Sequence, residues 1–101
     1  MKTYRDAEAA WHRARVFAWH GCAPKAADLV IEVGAFYERG RFRERARAAS
    51  EAFDRIAALL DVHDHPQRLP DKGVRELGLV LDDFQLGPGE HGRHLRLLEA
   101  M

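Results

Sequence analysis

The chain reads as an all-α protein, a compact bundle of about five helices, and three observations predict it. Apolar residues recur at three- and four-residue steps along nearly the whole length. No segment alternates apolar and polar residues as a half-buried strand would. Glycines and prolines fall between the periodic stretches, where chain reversals are needed. At 101 residues the chain is long enough for one core and too short for two, so residues 1–101 form a single helical domain with a loop at about 61–70.

The first helix runs from about Thr3 to Trp19, with Tyr4, Ala7, Trp11, Ala14 and Ala18 on one face. Gly21 ends it, and Pro24 suits the first turn of the next helix. The second helix covers about Pro24 to Arg39. Ala26, Val30, Val33 and Tyr37 make its centre line, and Leu29 and Phe36 widen the stripe, as for a helix packed on more than one side. Gly34 lies near this face, where a missing side chain allows close helix approach and offsets a propensity cost of roughly 1 kcal/mol. Gly40 is a stop. The third helix spans about Arg41 to Leu60, with Phe42, Ala46, Ala49, Phe53, Ile56 and Leu60 as its stripe. Asp61 to Pro70 is the loop. The fourth helix, about Asp71 to Gln85, turns Val74, Leu77, Leu81 and Phe84 to the core. Gly87-Pro88-Gly89 is a turn, and a short last helix from about Glu90 to Ala100 offers Leu95 and Leu98. The plan is a three-helix unit followed by a C-terminal helical hairpin.

Composition bounds the function. Sixteen basic and sixteen acidic residues cancel, which argues against a whole-surface nucleic-acid binder. The single Cys22 excludes an intrachain disulfide framework and fits a reducing compartment. No apolar run approaches the roughly 18 residues of a membrane span, and the first residues lack a signal-peptide core. A cytoplasmic location is the expectation. Heavy use of Ala, Arg, Leu and Gly fits a GC-rich bacterial or phage gene.

The most conspicuous stretch is Arg39 to Arg47, with arginine at alternate positions. Successive helical residues turn by about 100°, so these side chains divide. Arg41 and Arg45 flank the apolar stripe on one edge, Arg43 and Arg47 on the other, with stems over the core margin and heads in water. Arg47 with Glu51, and Glu51 with Arg55, have the spacing of stabilising ion pairs. The first reading is a solvated border to the third helix. The second is a contact surface for an acidic protein, and nucleic acid ranks below both.

The segment Leu29 to Arg55 resembles a tetratricopeptide repeat. Ala35, Phe36, Gly40, Phe42 and Ala52 fit that family's small residue, aromatic, turn glycine, aromatic and second-helix alanine, with Leu29 at its large first-helix position. The family's Leu-Gly pair falls on Glu32-Val33, and another conserved alanine falls on Arg45. The resemblance covers about a quarter of the chain. It implies a helical hairpin that presents a protein-binding surface.

Candidate chemistry is sparse. His63, Asp64 and His65 precede Pro66, and His91 and His94 stand three apart on the last helix. Neutral imidazoles are zinc or nickel ligands, so His63, His65, His91 and His94 are the candidates for a metal-binding or enzymatic alternative. Such a site requires the loop to meet the last helix. Cys22 stands at a helix N-terminus, where a thiol is activated, but no base and orienting group accompany it. Asp82 and Asp83 are adjacent and diverge by about 100°, so they make no acid–base dyad. Gly87-Pro88-Gly89 lacks the Lys-Ser/Thr of a phosphate loop. No catalytic residue and no cofactor are expected. His12, Val16, Trp19 and His20 share a second face of the first helix. Either later helices wrap around Trp19, which is the first reading, or it is exposed as an interface anchor, a frequent role of Trp. The reading is a small protein–protein interaction module, an adaptor, chaperone or inhibitor. Its contacts are Trp19 and Val16 with Arg41, Arg43, Arg45 and Arg47, and its partner is another protein with an acidic surface, or a second copy in a homodimer.

Overall fold

The computed structural model describes residues 1–85. Over them the chain is all-helical, with four α-helices: α1 Tyr4–Trp19, α2 Ala23–Arg39, α3 Arg43–Val62 and α4 Asp71–Gln85. The expected turn at Gly87-Pro88-Gly89 and the short helix from Glu90 to Ala100, with Leu95, Leu98, His91 and His94, lie outside the described residues.

Each helix packs on the next, and α4 returns to α1, so the four close into a ring. Alanine sets the spacing on one side of that ring. Ala7, Ala10, Ala14 and Ala18 of α1 are wholly buried, as are Ala23 and Ala26 of α2. Such small side chains let two helix backbones draw close. Bulk comes from Val30 and Val33 further along α2 and, across the ring, from Ile56 on α3 and Leu77 and Leu81 on α4. Trp11 joins α1 and α4. Its indole is buried and donates from Nε1 to the Leu81 carbonyl oxygen at 3.3 Å.

Caps explain where the helices begin and end. Thr3 caps α1 by accepting from the Asp6 amide, while the Asp6 carboxylate accepts from the backbone of Thr3 and Lys2 at 3.1 and 3.0 Å, a reciprocal capping box. Those two amide bonds hold the Asp6 carboxyl below its usual range, Lys2 contributing most.

Three successive helices stop in the same way. After α1, Gly21 takes the left-handed conformation (φ 79°). Its amide donates to the Ala18 carbonyl and the Cys22 amide donates to that of Phe17. This is the Schellman closure, which satisfies the last carbonyls of a helix. After α3, Asp64 takes the left-handed position (φ 60°), bonding Asp61 while His65 bonds Leu60. After α2 the position falls one residue beyond the expected glycine. Gly40 keeps an ordinary φ of −82°, and Arg41 turns left-handed at φ 61°. The Arg41 amide meets the Glu38 carbonyl and the Phe42 amide meets that of Tyr37.

That closure corrects the expected third helix. It begins at Arg43, with Phe42 at its N-cap, and Arg41 stands outside it. The Arg41/Arg45 edge therefore does not form as a helical edge. Phe42 leaves the core stripe, which runs instead through Ala48, Ala49, Ala52, Ile56 and Leu59, with Ala46, Phe53 and Leu60 at its margin. Gly34 is less constrained than its position implies. A Cβ there meets only Ala49 Cβ at 3.4 Å, an ordinary contact.

Candidate protein-binding surface

The end of the bundle where α1 begins, α2 ends and α3 starts is lined with aromatic rings. Tyr4, Phe36, Tyr37 and Phe42 form a cluster. Tyr4 lies 5.1 Å from Phe42 and 5.7 Å from Tyr37 between ring centroids, and Phe36 stacks on Phe42 at 6.2 Å. These tilted and offset arrangements are the favoured ones for aromatic pairs. Gly40 makes the cluster possible. A Cβ there would come within 2.5 Å of the Phe42 ring, which lies over the glycine. Gly40 is thus kept for space and Arg41 carries the backbone strain.

Arg45 ties the cluster to α3. Its guanidinium lies 5.0 Å from the Tyr4 ring centroid and 5.9 Å from that of Tyr37, within cation–π range of both. Tyr37 is buried, and burial pushes its phenol above the usual range, with the charge of Arg45 acting against the rise.

The other arginines of the run stay in water. Arg39, Arg41, Arg43 and Arg47 are exposed, and Phe42 among them is 40% exposed. Among the described residues no ion pair holds any of the four. The pairings expected of Glu51 with Arg47 and Arg55 do not form there. Arg55 instead lies over the Phe84 ring of α4 and reaches Asp83 at 3.8 Å. From Glu38 to Arg47 there are five arginines and two acids, a local surplus of three positive charges on a chain with none overall.

The second face of α1 is only half free. His12, Val16 and His20 are exposed, and Trp19 is 43% exposed. The inner side of its indole lies on α4 at Gly78, where a Cβ would come within 2.3 Å of the ring. Trp19 Nε1 donates to Asp82 Oδ1 at 3.4 Å, and Arg15 Nε donates to the same oxygen at 2.8 Å. Asp82 therefore braces α4 to α1, while its neighbour Asp83 faces α3. The divergence of adjacent residues makes the two aspartates a structural clasp.

Among the described residues the remaining candidates stand apart. His65 bonds Asp61 one turn back at 2.5 Å, and half-buried His63 packs against the backbone at Gly73. Among the described residues no group of three or more His, Cys, Asp or Glu side chains is placed to hold a metal ion. Cys22 stands half-buried at the N-cap position of α2 without a side-chain capping bond, its thiol directed at the His20 carbonyl at 3.9 Å. No described helix is long and apolar enough to cross a membrane. The Leu29 to Arg55 segment lies within the hairpin of α2 and α3. No family model, curated protein or solved structure matches this chain.

Proposed function

We propose that the protein is a small interaction module that binds an acidic protein surface through its basic, aromatic end. The observation that carries this reading is Arg41. A left-handed backbone costs an L-residue roughly 1–2 kcal/mol; glycine relieves that strain at the equivalent Gly21, and after α3 the position is held by Asp64, whose short polar side chain tolerates it, next to a left-handed His65. An arginine holds the position after α2, and its side chain is exposed. Strain retained at a surface position points from structure to function. The surroundings support the reading. Arg39, Arg43 and Arg47 add charge without an ion-pair partner among the described residues, and Phe42 supplies an aromatic surface in their midst. Arg and aromatic residues together are the usual anchors of protein interfaces. Trp19 and Val16 are a secondary contact, because α4 already covers part of the indole.

The test uses fluorescently labelled oligoglutamate as the acidic probe and single-stranded RNA as the comparison, read by anisotropy at low salt. Oligoglutamate binds and RNA binds less tightly. The triple variant Arg39→Gln/Arg43→Gln/Arg47→Gln, whose helicity is checked by circular dichroism, loses about tenfold in affinity, as three exposed charge pairs at roughly 0.5 kcal/mol each imply. Tighter binding to RNA, or equal binding by the triple variant, overturns the assignment.

A further inference from the structure

A second surface lies at the far end of α3 from the arginines. Between α3 and α4 an open groove of about 490 Å³ is lined by Arg55, Ala58, Leu59, Val62, Leu79 and Val80, with Glu76 completing it. Val62 is 76% exposed and Leu79 is 55% exposed, the two most exposed large apolar side chains among the described residues. Isolated apolar residues are normal on a surface. These two share one groove with three further apolar side chains.

We infer that this groove is a self-association surface, whose occupant is the same groove on a second copy of the chain. The placement of charge argues for it. Arg55 reaches Asp83 and His63 packs at Gly73, so α3 and α4 run antiparallel. Arg55 therefore marks one end of the groove, and Glu76 lies at the other end beside Val62, seven residues or about 10 Å along the helices. A two-fold axis through the middle, near Leu79, brings the Arg55 end of each copy onto the Glu76 end of the other. Both ion pairs form at once, Arg55 giving up its long 3.8 Å contact with Asp83 for the partner's Glu76, and the protruding Val62 and Leu79 of each copy enter the opposite groove. Such self-complementarity is what an isologous contact requires. The apolar patch is small against the roughly 800 Å² per partner of a standard interface, so the dimer is weak and depends on concentration. This surface is separate from the basic end, and the two stand or fall independently.

Charge reversal tests the arrangement. In sedimentation experiments over a wide concentration range, the wild-type mass rises toward that of a dimer. Glu76→Arg, Arg55→Glu and Leu79→Ser each remain monomeric, with circular dichroism and thermal melts confirming that they fold. Mixing Glu76→Arg with Arg55→Glu restores the dimer, because the mixed pair regains both opposite-charge contacts. A wild type that is monomeric throughout overturns the inference, including the case where residues beyond Gln85 of the same chain cover the groove. So does a dimer that survives Leu79→Ser, which would place the contact elsewhere, at Trp19 for example. A mixture of the folded charge variants that stays monomeric excludes the two-fold arrangement.

Discussion

Replacing Arg41 with glycine should make the protein more stable and a poorer binder. At φ 61° the Arg41 Cβ crowds the following carbonyl, at a cost of roughly 1–2 kcal/mol that glycine escapes. Glycine in turn loses more backbone freedom on folding, by roughly 0.5–1 kcal/mol. No contact of the side chain offsets the balance, since Arg41 is exposed and, among the described residues, without an ion pair. The Schellman bonds are made by backbone amides and survive the substitution. The net expectation is stabilisation of about 0.5–1 kcal/mol, a rise in Tm of roughly 2–8 °C for a domain of this size. Thermal unfolding by circular dichroism, with urea unfolding beside it, reads the change. Oligoglutamate affinity should fall in the same variant by a factor of about two, the share of one exposed charge. A variant less stable than the wild type would refute the reasoning, because it would mean that the arginine side chain is held by contacts worth more than the strain. A variant that is stabilised and binds unchanged would separate the strain from the function.

Three further predictions follow from the caps and the cluster. Gly21→Ala acts in the opposite direction to Arg41→Gly. It adds left-handed strain of roughly 1 kcal/mol and places a methyl 3.0 Å from Val74 Cγ2 and 3.2 Å from Arg68 Cγ, so urea unfolding should show a loss of about 2–4 kcal/mol with the overpacking included. Arg45→Met removes two cation–π contacts and should cost about 1 kcal/mol. Tyr37 should then titrate at still higher pH in ultraviolet absorbance, because the charge that opposed the effect of burial is gone. Asp6 has its carboxyl lowered in the folded state, so its contribution is present above the unfolded value of about 3.8 and is lost as pH falls through the folded one. The stability gap between the wild type and Asp6→Asn should therefore close on acidification, and a gap that widens would contradict the capping box.

The helices were legible because their apolar spacing repeats, and α4 falls on Asp71–Gln85 as its pattern predicts. The stripes of α1 and α2 are likewise the buried residues, from Ala7 through Ala18 and from Ala26 through Tyr37. The end of α2 was misread for a physical reason. Gly40 looks like the left-handed residue, but its lack of a side chain is used to seat the Phe42 ring. Periodicity cannot report that choice, and α3 shifts by two residues as a result. Arg45 was legible as a border residue but not as the cation between Tyr4 and Tyr37, which needs α1 and α2 to arrive beside it. Trp19 was visible as an apolar residue on the wrong face. Its seat on Gly78 and its bond to Asp82 join residues some sixty positions apart, and no local pattern encodes them. The α3/α4 groove was not legible, because Val62 falls in the expected loop at 61–70 and only Leu79 stands off the stripe of an expected helix. Two apolar residues off the stripes of neighbouring helices are a usable signal once the helices are known to pair.

The most direct test of the basic end as the working surface is a titration of isotopically labelled protein with oligoglutamate, followed by amide chemical shifts. Shifts confined to Arg39 through Arg47 and to Tyr4, diminishing as salt is added, are the predicted result. Shifts centred on Val16 and Trp19, or none at low salt, would contradict the account.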